Sequence, residues 1–195
     1  MKPTLIISVI ALVCLASPLL ADEDHHHLGP DEKVGSVSFP TSCVPAVQKP
    51  FERGVALMHS FEYEMAENQF KEVAKQDPGC AMAYCGQALS LYHQLWSRPT
   101  KADLKRGNDL LAHATGLKPK TEREREYISA LAVFYHDADN IDHRKRADLY
   151  SAAMEKVYRH NPNDREAAVF YALSLLGSGP EYDPTKTNPE RPSLF

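Results

Sequence analysis

A helical pattern that returns along the chain constrains the fold most strongly. From Val47 onward, apolar residues recur every three to four positions, and these stretches run into Pro78, Pro119 and Pro162 in turn. Proline stops a helix because it lacks the backbone N–H and its ring clashes with the preceding turn. Pairs of helices that are stopped repeatedly in this way predict a series of αα-hairpins.

The hairpins share one template of small and large residues. Unit one, counted from Val47, has Gly54, Leu57, Ala66, Phe70, Val73 and Pro78 at positions 8, 11, 20, 24, 27 and 32. Units two and three fit once seven residues are inserted between their two helices. Their matching residues are Tyr84, Ala88, Leu91, Gly107, Leu111, Ala114 and Pro119, and then Tyr127, Leu131, Phe134, Tyr150, Met154, Val157 and Pro162. A fourth unit begins with Ala168, Ala172 and Leu175 and has no second helix in its pattern.

This template resembles the tetratricopeptide repeat, a helix–turn–helix unit of about 34 residues. The chain is similar to exported bacterial tetratricopeptide-repeat proteins over about residues 47–176, with departures at Pro50 and at Cys85, where members often carry tryptophan. The resemblance implies an all-α fold, a solenoid of αα-hairpins with about three and a half units. We expect units at 47–80, 81–121 and 124–164, an incomplete unit at 165–176, and an irregular tail at 177–195.

Two expectations remain open for the C-terminal part. Members of this group tend to be much longer, so the chain is either a truncated copy of a longer array or one whose tail folds back as an irregular cap. The tail contains four prolines and no apolar stripe. Because each helix pair buries its apolar face on a neighbour, the last helical segment would otherwise expose its own.

The resemblance also implies a concave groove, lined by the first helix of each unit, that binds a protein or peptide partner. The groove residues that it implies are Phe51, Val55, Met58 and His59 in unit one, Met82, Cys85, Leu89, Tyr92 and His93 in unit two, and Ile128, Tyr135 and His136 in unit three. The predicted function is therefore that of a non-catalytic scaffold without a cofactor. Fold alone does not fix function, so this expectation rests on analogy.

Three histidines occupy one template position. His59, His93 and His136 are each residue 13 of their unit, near the end of a first helix. The favoured interpretation is that each finishes its own helix, where a histidine can satisfy a free carbonyl and interact with the helix dipole. Contact with an anionic ligand group, or convergence on a metal, are the alternatives. An exported metal- or small-ligand-binding protein that uses these histidines or the tract His25–His27 is thus the second functional hypothesis, although three histidines alone do not complete a metal-ligand set.

The first 21 residues have the pattern of a secretory signal peptide. A lysine precedes an apolar run that ends in the small residue Ala21, and acidic residues follow. A membrane anchor is the alternative, but the run is short and Pro18 interrupts it. We predict a periplasmic or secreted protein with no membrane span after cleavage. Residues 22–46 contain glycine and proline without helical periodicity, which predicts a flexible lead-in.

Export changes the interpretation of the cysteines. After removal of the signal peptide, Cys43, Cys80 and Cys85 remain. An oxidising compartment permits a disulfide, and Cys43 with Cys80 is the favoured pair because Cys80 and Cys85 fit poorly if both lie in one helix. Unpaired buried thiols are the alternative.

Motifs for catalysis and nucleic-acid binding are missing from the sequence. It has no nucleophile elbow, phosphate loop, dinucleotide fingerprint or zinc spacing. The formal net charge of -4 gives no reason to expect nucleic acid. Thr121 and Glu124 have capping-box spacing. The aspartates Asp137, Asp139 and Asp142 favour a solvated loop with Asp142 at a helix start over a calcium loop. The oligomeric state is not predicted.

Overall fold

The computed structural model describes residues 34–95 and 97–179. The predicted signal peptide, the tract His25–His27, Trp96 and the residues from 180 onward lie outside this part. A 3-10 turn, Pro45–Val47, precedes the helices of the described part. These are α1 (Gln48–His59), α2 (Tyr63–Gln76), α3 (Ala81–Ser90), α4 (Lys101–Gly116), α5 (Glu122–Tyr135), α6 (His143–His160) and α7 (Arg165–Gly177).

Consecutive helices pack against each other along the whole series. The pairs α1–α2, α3–α4 and α5–α6 are the three hairpins, and α7 packs on α6 as the first helix of a fourth. Among the first helices, α3 also contacts both α1 and α5. The predicted all-α array of helix pairs is therefore confirmed for the described residues. None of the helices described is both long and apolar enough to cross a membrane.

Small residues of the template lie where aromatic rings need room. A Cβ atom added to Gly54 would lie 2.6 Å from Cε1 of Phe70, and one added to Gly86 would lie 2.7 Å from the same ring. The Phe70 ring of α2 is thus wedged between α1 and α3. Gly107 has the same relation to Tyr135, whose hydroxyl donates to the carbonyl of Ala88 at 2.6 Å.

The inserted residues of units two and three lengthen both the second helices and the connections that precede them. α2 begins three residues before Ala66, whereas α4 begins six residues before Gly107 and α6 seven before Tyr150, at equivalent template positions. Thr100 caps α4 by accepting from the N–H of Asp103 at 3.2 Å. Asp142 caps α6 by accepting from the N–H of Lys145 at 3.0 Å, so its predicted role at a helix start is confirmed.

The first helices of the first and fourth units meet. The ring centroids of His59 on α1 and Phe170 on α7 are 5.1 Å apart, and Phe170 also contacts Tyr127 of α5 at 6.3 Å. A row of first helices that closes in this way fills the side that a longer, open array would leave concave.

Candidate functional site

Residues 38–44, here called the strap, cross the N-terminal ends of α1 and α5 without helix or strand structure. Side chains of α1 hold the main chain of Phe39 on both sides. Its N–H donates to Oε1 of Glu52 at 3.1 Å, and its carbonyl accepts from Nε2 of Gln48 at 2.7 Å. On the α5 side, Nη1 of Arg123 donates to the carbonyl of Pro40 at 3.0 Å. The strap is therefore bound as an extended peptide, through its backbone.

The Phe39 side chain supplies the strap's apolar anchor. It is 1% exposed and lies in a pocket between two helices. Its ring centroid is 5.4 Å from that of Phe51 on α1 and 5.1 Å from that of Tyr127 on α5. The Arg123 guanidinium covers the ring face with its carbon 4.0 Å from the centroid, a cation–π contact.

Glu124 of α5 joins the strap to a helix cap. Its carboxylate accepts from the Ser42 N–H at 2.7 Å and from the Ser42 hydroxyl at 2.6 Å. The same side chain completes the predicted capping box with Thr121, which the structure confirms. Burial alone would raise the pKa of Glu124, but the hydrogen bonds from Ser42 and Thr121 outweigh it, so this pKa is lowered. Glu124 is consequently a buried anion that needs the strap as a donor.

Asp164 extends the network to α7. It accepts from Nε of Arg123 at 2.6 Å and from the Tyr127 hydroxyl at 2.9 Å, and it caps α7 through the N–H of Glu166 at 3.1 Å. Burial would raise the pKa of Asp164, yet Arg123 and Tyr127 hold it below its usual range. An open cleft of about 790 Å³ lies beside this network, between the strap and the α6–α7 connection.

A disulfide fixes the C-terminal end of the strap. Cys43 is bonded to Cys80, the residue that precedes α3, with the two Cα atoms 4.9 Å apart. The bond joins the pair of cysteines that the sequence favours. The Val44 N–H donates to Oδ2 of Asp77 at 2.9 Å beside it. Cys85 is a free thiol, and its burial raises its pKa to about 12.

Part of the predicted lead-in makes specific contacts with the helices. Residues 38–44 are tied by the disulfide and by side-chain hydrogen bonds from two helices. The sequence gives no sign of these contacts, because the partners on α5 lie far away along the chain. Residues 22–33 lie outside the described part.

Most of the predicted groove residues form the core. Eight of them are buried, namely Phe51, Val55, Met58, Met82, Cys85, Tyr92, Ile128 and Tyr135. The prediction that these eight line an accessible groove does not hold, since the α1–α7 contact and the strap occupy that side. His59, Leu89 and His93 are half-buried, and His136 is exposed.

The three histidines have three different environments. His59 contributes Nε2 to a contact of 2.6 Å with Oε2 of Glu166 on α7, so it joins two helices and does not merely finish its own. His93 stacks on Tyr63 with ring centroids 4.4 Å apart and lies beyond the end of α3. His136 is the C-terminal cap of α5. Within the described residues the three histidines do not form one group of metal ligands.

One side-chain group in the described part has metal-ligand spacing, but it contains the disulfide. It consists of Cys43, Asp77 and Cys80, and the two cysteine sulfurs are bonded to each other.

No family model, curated protein or solved structure matches the chain. The strap site combines helix side chains that hydrogen-bond to main-chain atoms with one pocket that an aromatic ring fills.

Proposed function

We propose that the chain is an exported, non-catalytic module of tetratricopeptide-like helix pairs that binds a protein or peptide partner. The partner enters as an extended segment across the N-terminal ends of α1 and α5, where the strap lies. One observation carries this proposal: the array already holds an extended peptide there, through contacts to its main chain from two helices.

Most contacts at this site are independent of the partner's sequence, and one pocket selects an aromatic side chain. Four helix side chains contact main-chain atoms of the strap, and every peptide offers such atoms. They are those of Gln48, Glu52, Arg123 and Glu124. Selectivity comes from the pocket of Phe39, which an aromatic ring fills between Phe51 and Tyr127. The preferred partner segment therefore carries an aromatic residue followed by residues that can remain extended, as proline does here.

The strap competes with such a partner. A tethered segment acts at an effective concentration that reaches the millimolar range for short linkers. The disulfide shortens the tether further, because it joins Cys43 to the start of α3. Partner binding is consequently strongest when the contacts of the strap are weakened.

The test measures binding of the strap peptide in trans. A variant with Phe39→Ala, Cys43→Ser and Cys80→Ser is titrated against a fluorescent peptide of residues 34–44 that carries serine in place of Cys43. We expect saturable binding by fluorescence anisotropy. The unchanged, oxidised protein should bind the peptide at least about tenfold more weakly, since its own strap occupies the site.

Two controls define the result. A peptide that also carries Phe39→Ser should lose binding, because it lacks the aromatic anchor. Circular dichroism and cooperative urea unfolding establish that the protein variant remains helical. If a folded variant shows no saturable binding, the proposal is overturned.

A further inference from the structure

α7 differs from the other first helices in what covers it. Leu175 is 49% exposed, whereas the residues at the same template position, Leu57, Leu91 and Phe134, are 1%, 7% and 0% exposed. Leu176 is 64% exposed, and its counterparts Met58, Tyr92 and Tyr135 are all buried. The face is apolar and accessible at the positions that form the core of the three preceding units.

Two smaller residues complete this surface. Ala172 is exposed, although the small residues at its template position, Gly54 and Ala88, are buried. Val169 is 39% exposed on the same helix. Val169, Ala172, Leu175 and Leu176 are here called the open face of α7.

The same chain shows what covers such a face. In unit one, α2 places the Phe70 ring against Gly54. In unit two, Leu111 of α4 stands at the template position of Phe70 and is buried. Ala88 of α3 stands at the template position of Gly54. Each cover is an amphipathic helix that follows its first helix after a connection and packs on it as a hairpin.

We propose that the open face of α7 binds an amphipathic helix of a partner protein. The helix lies along α7 as α4 lies along α3, and it presents a leucine-sized residue over Ala172. This surface is separate from the strap site, so the inference stands independently of the proposed function. The interface continues a packing that is established three times in the array, by α2, α4 and α6.

Residues 180–195 do not carry the sequence pattern of such a helix. Pro180, Pro184, Pro189 and Pro192 interrupt this stretch every few residues. A proline inside a helix costs about 3 kcal/mol or more and removes a backbone donor.

The size of Ala172 determines which partner side chain can pack on the open face. Ala172 matches Ala88 and not Gly54, so a branched aliphatic residue fits where a phenylalanine ring would need glycine.

The experiment uses α4 itself as the probe. An acetylated and amidated peptide of residues 100–117, which includes the cap Thr100 and the anchor Leu111, is titrated to about 1 mM against the full chain, because an isolated helix of this length is only marginally formed. We expect saturable binding by isothermal calorimetry. Leu175→Asp in the protein, or Leu111→Asp in the peptide, should weaken it at least about tenfold by placing a charge in the apolar contact.

A matched control separates the open face from the rest of the surface. Ala112→Asp in the protein places the same charge on an exposed position of α4 and should leave the affinity unchanged. Both protein variants change exposed residues, so circular dichroism should match that of the unchanged chain.

Three results would overturn the inference. One is the absence of saturable binding. Another is a dimer in light scattering that Leu175→Asp abolishes, since a second copy would then cover the face. The third is binding that appears only after removal of residues 180–195, which would assign the face to the chain's own tail.

Discussion

The strap buries its apolar side chain, whereas the open face of α7 leaves its apolar side chains exposed. Phe39 precedes the first helix and is held in the interior by two helices, a buried carboxylate and a disulfide. Leu176 stands at the template position of Met58, Tyr92 and Tyr135. These three residues are buried, whereas Leu176 is accessible. An array of helix pairs buries each apolar face on a neighbour, so such a face must be covered or used wherever the neighbours end. The first edge is thus filled by a segment of the chain itself, whereas the apolar side chains of the second edge remain accessible.

The largest effect is expected at the strap's aromatic anchor. Phe39→Ala removes a buried ring and leaves a cavity between Phe51 and Tyr127. We expect the free energy of unfolding to fall by about 3–5 kcal/mol. Urea denaturation followed by circular dichroism measures it. Val44→Ala, an exposed position of the same strap, is the control and should stay within about 0.5 kcal/mol. A loss below about 1 kcal/mol at Phe39 would contradict its place in the core.

The next effect belongs to the disulfide. Replacement of Cys43 and Cys80 by serine frees a loop with a sequence separation of 37. We expect a loss of about 2–4 kcal/mol of unfolding free energy, chiefly because the unfolded chain gains freedom. The unchanged protein after reduction should match the double variant in the same urea titration. Equal stability of the oxidised and reduced forms would mean that non-covalent contacts alone hold the strap.

The helices could be predicted from sequence because their signals are local. Periodic apolar residues, the prolines after each hairpin and the Thr121–Glu124 box lie within a few turns of the structure they determine. The contacts of the strap have no such signal. Ser42 and Glu124 are 82 residues apart, and nothing in the spacing of either indicates the other.

The predicted groove failed for a related reason. The template identifies which face of each first helix is apolar, but not whether the first helices close on one another. Closure depends on the contact between His59 and Glu166, which are 107 residues apart. It also depends on large rings at the groove positions, since Tyr92 and Tyr135 fill space that smaller side chains would leave open.

A smaller, pH-dependent effect is expected at Glu124. Glu124→Gln turns one acceptor atom into a donor that faces Ser42 or Thr121, with an expected loss of about 1–3 kcal/mol at pH 7. The folded-state pKa of this carboxyl is lowered, so its contribution is complete above its unfolded pKa of about 4.3 and disappears as pH falls through the lower folded value. The difference between protein and variant should therefore shrink below about pH 4.

Urea titrations at several pH values measure this difference. Glu122→Gln, an exposed change in the first turn of the same helix, is the matched control and should show an effect within about 0.5 kcal/mol at every pH. A difference for Glu124→Gln that stays constant down to pH 3 would show that the carboxylate charge does not hold the strap.

The smallest effect on stability is expected on the open face of α7. Leu175 and Leu57 are the same residue at the same template position, with exposures of 49% and 1%. Leu57→Ala should lower the unfolding free energy by about 2–5 kcal/mol, because it empties a packed site. Leu175→Ala should change it by no more than about 0.5 kcal/mol, since water already reaches the side chain. If the two losses were equal in urea denaturation, something would cover α7 in solution. If they differ as expected, the stability of the array does not depend on Leu175, which leaves this face free to contribute to binding.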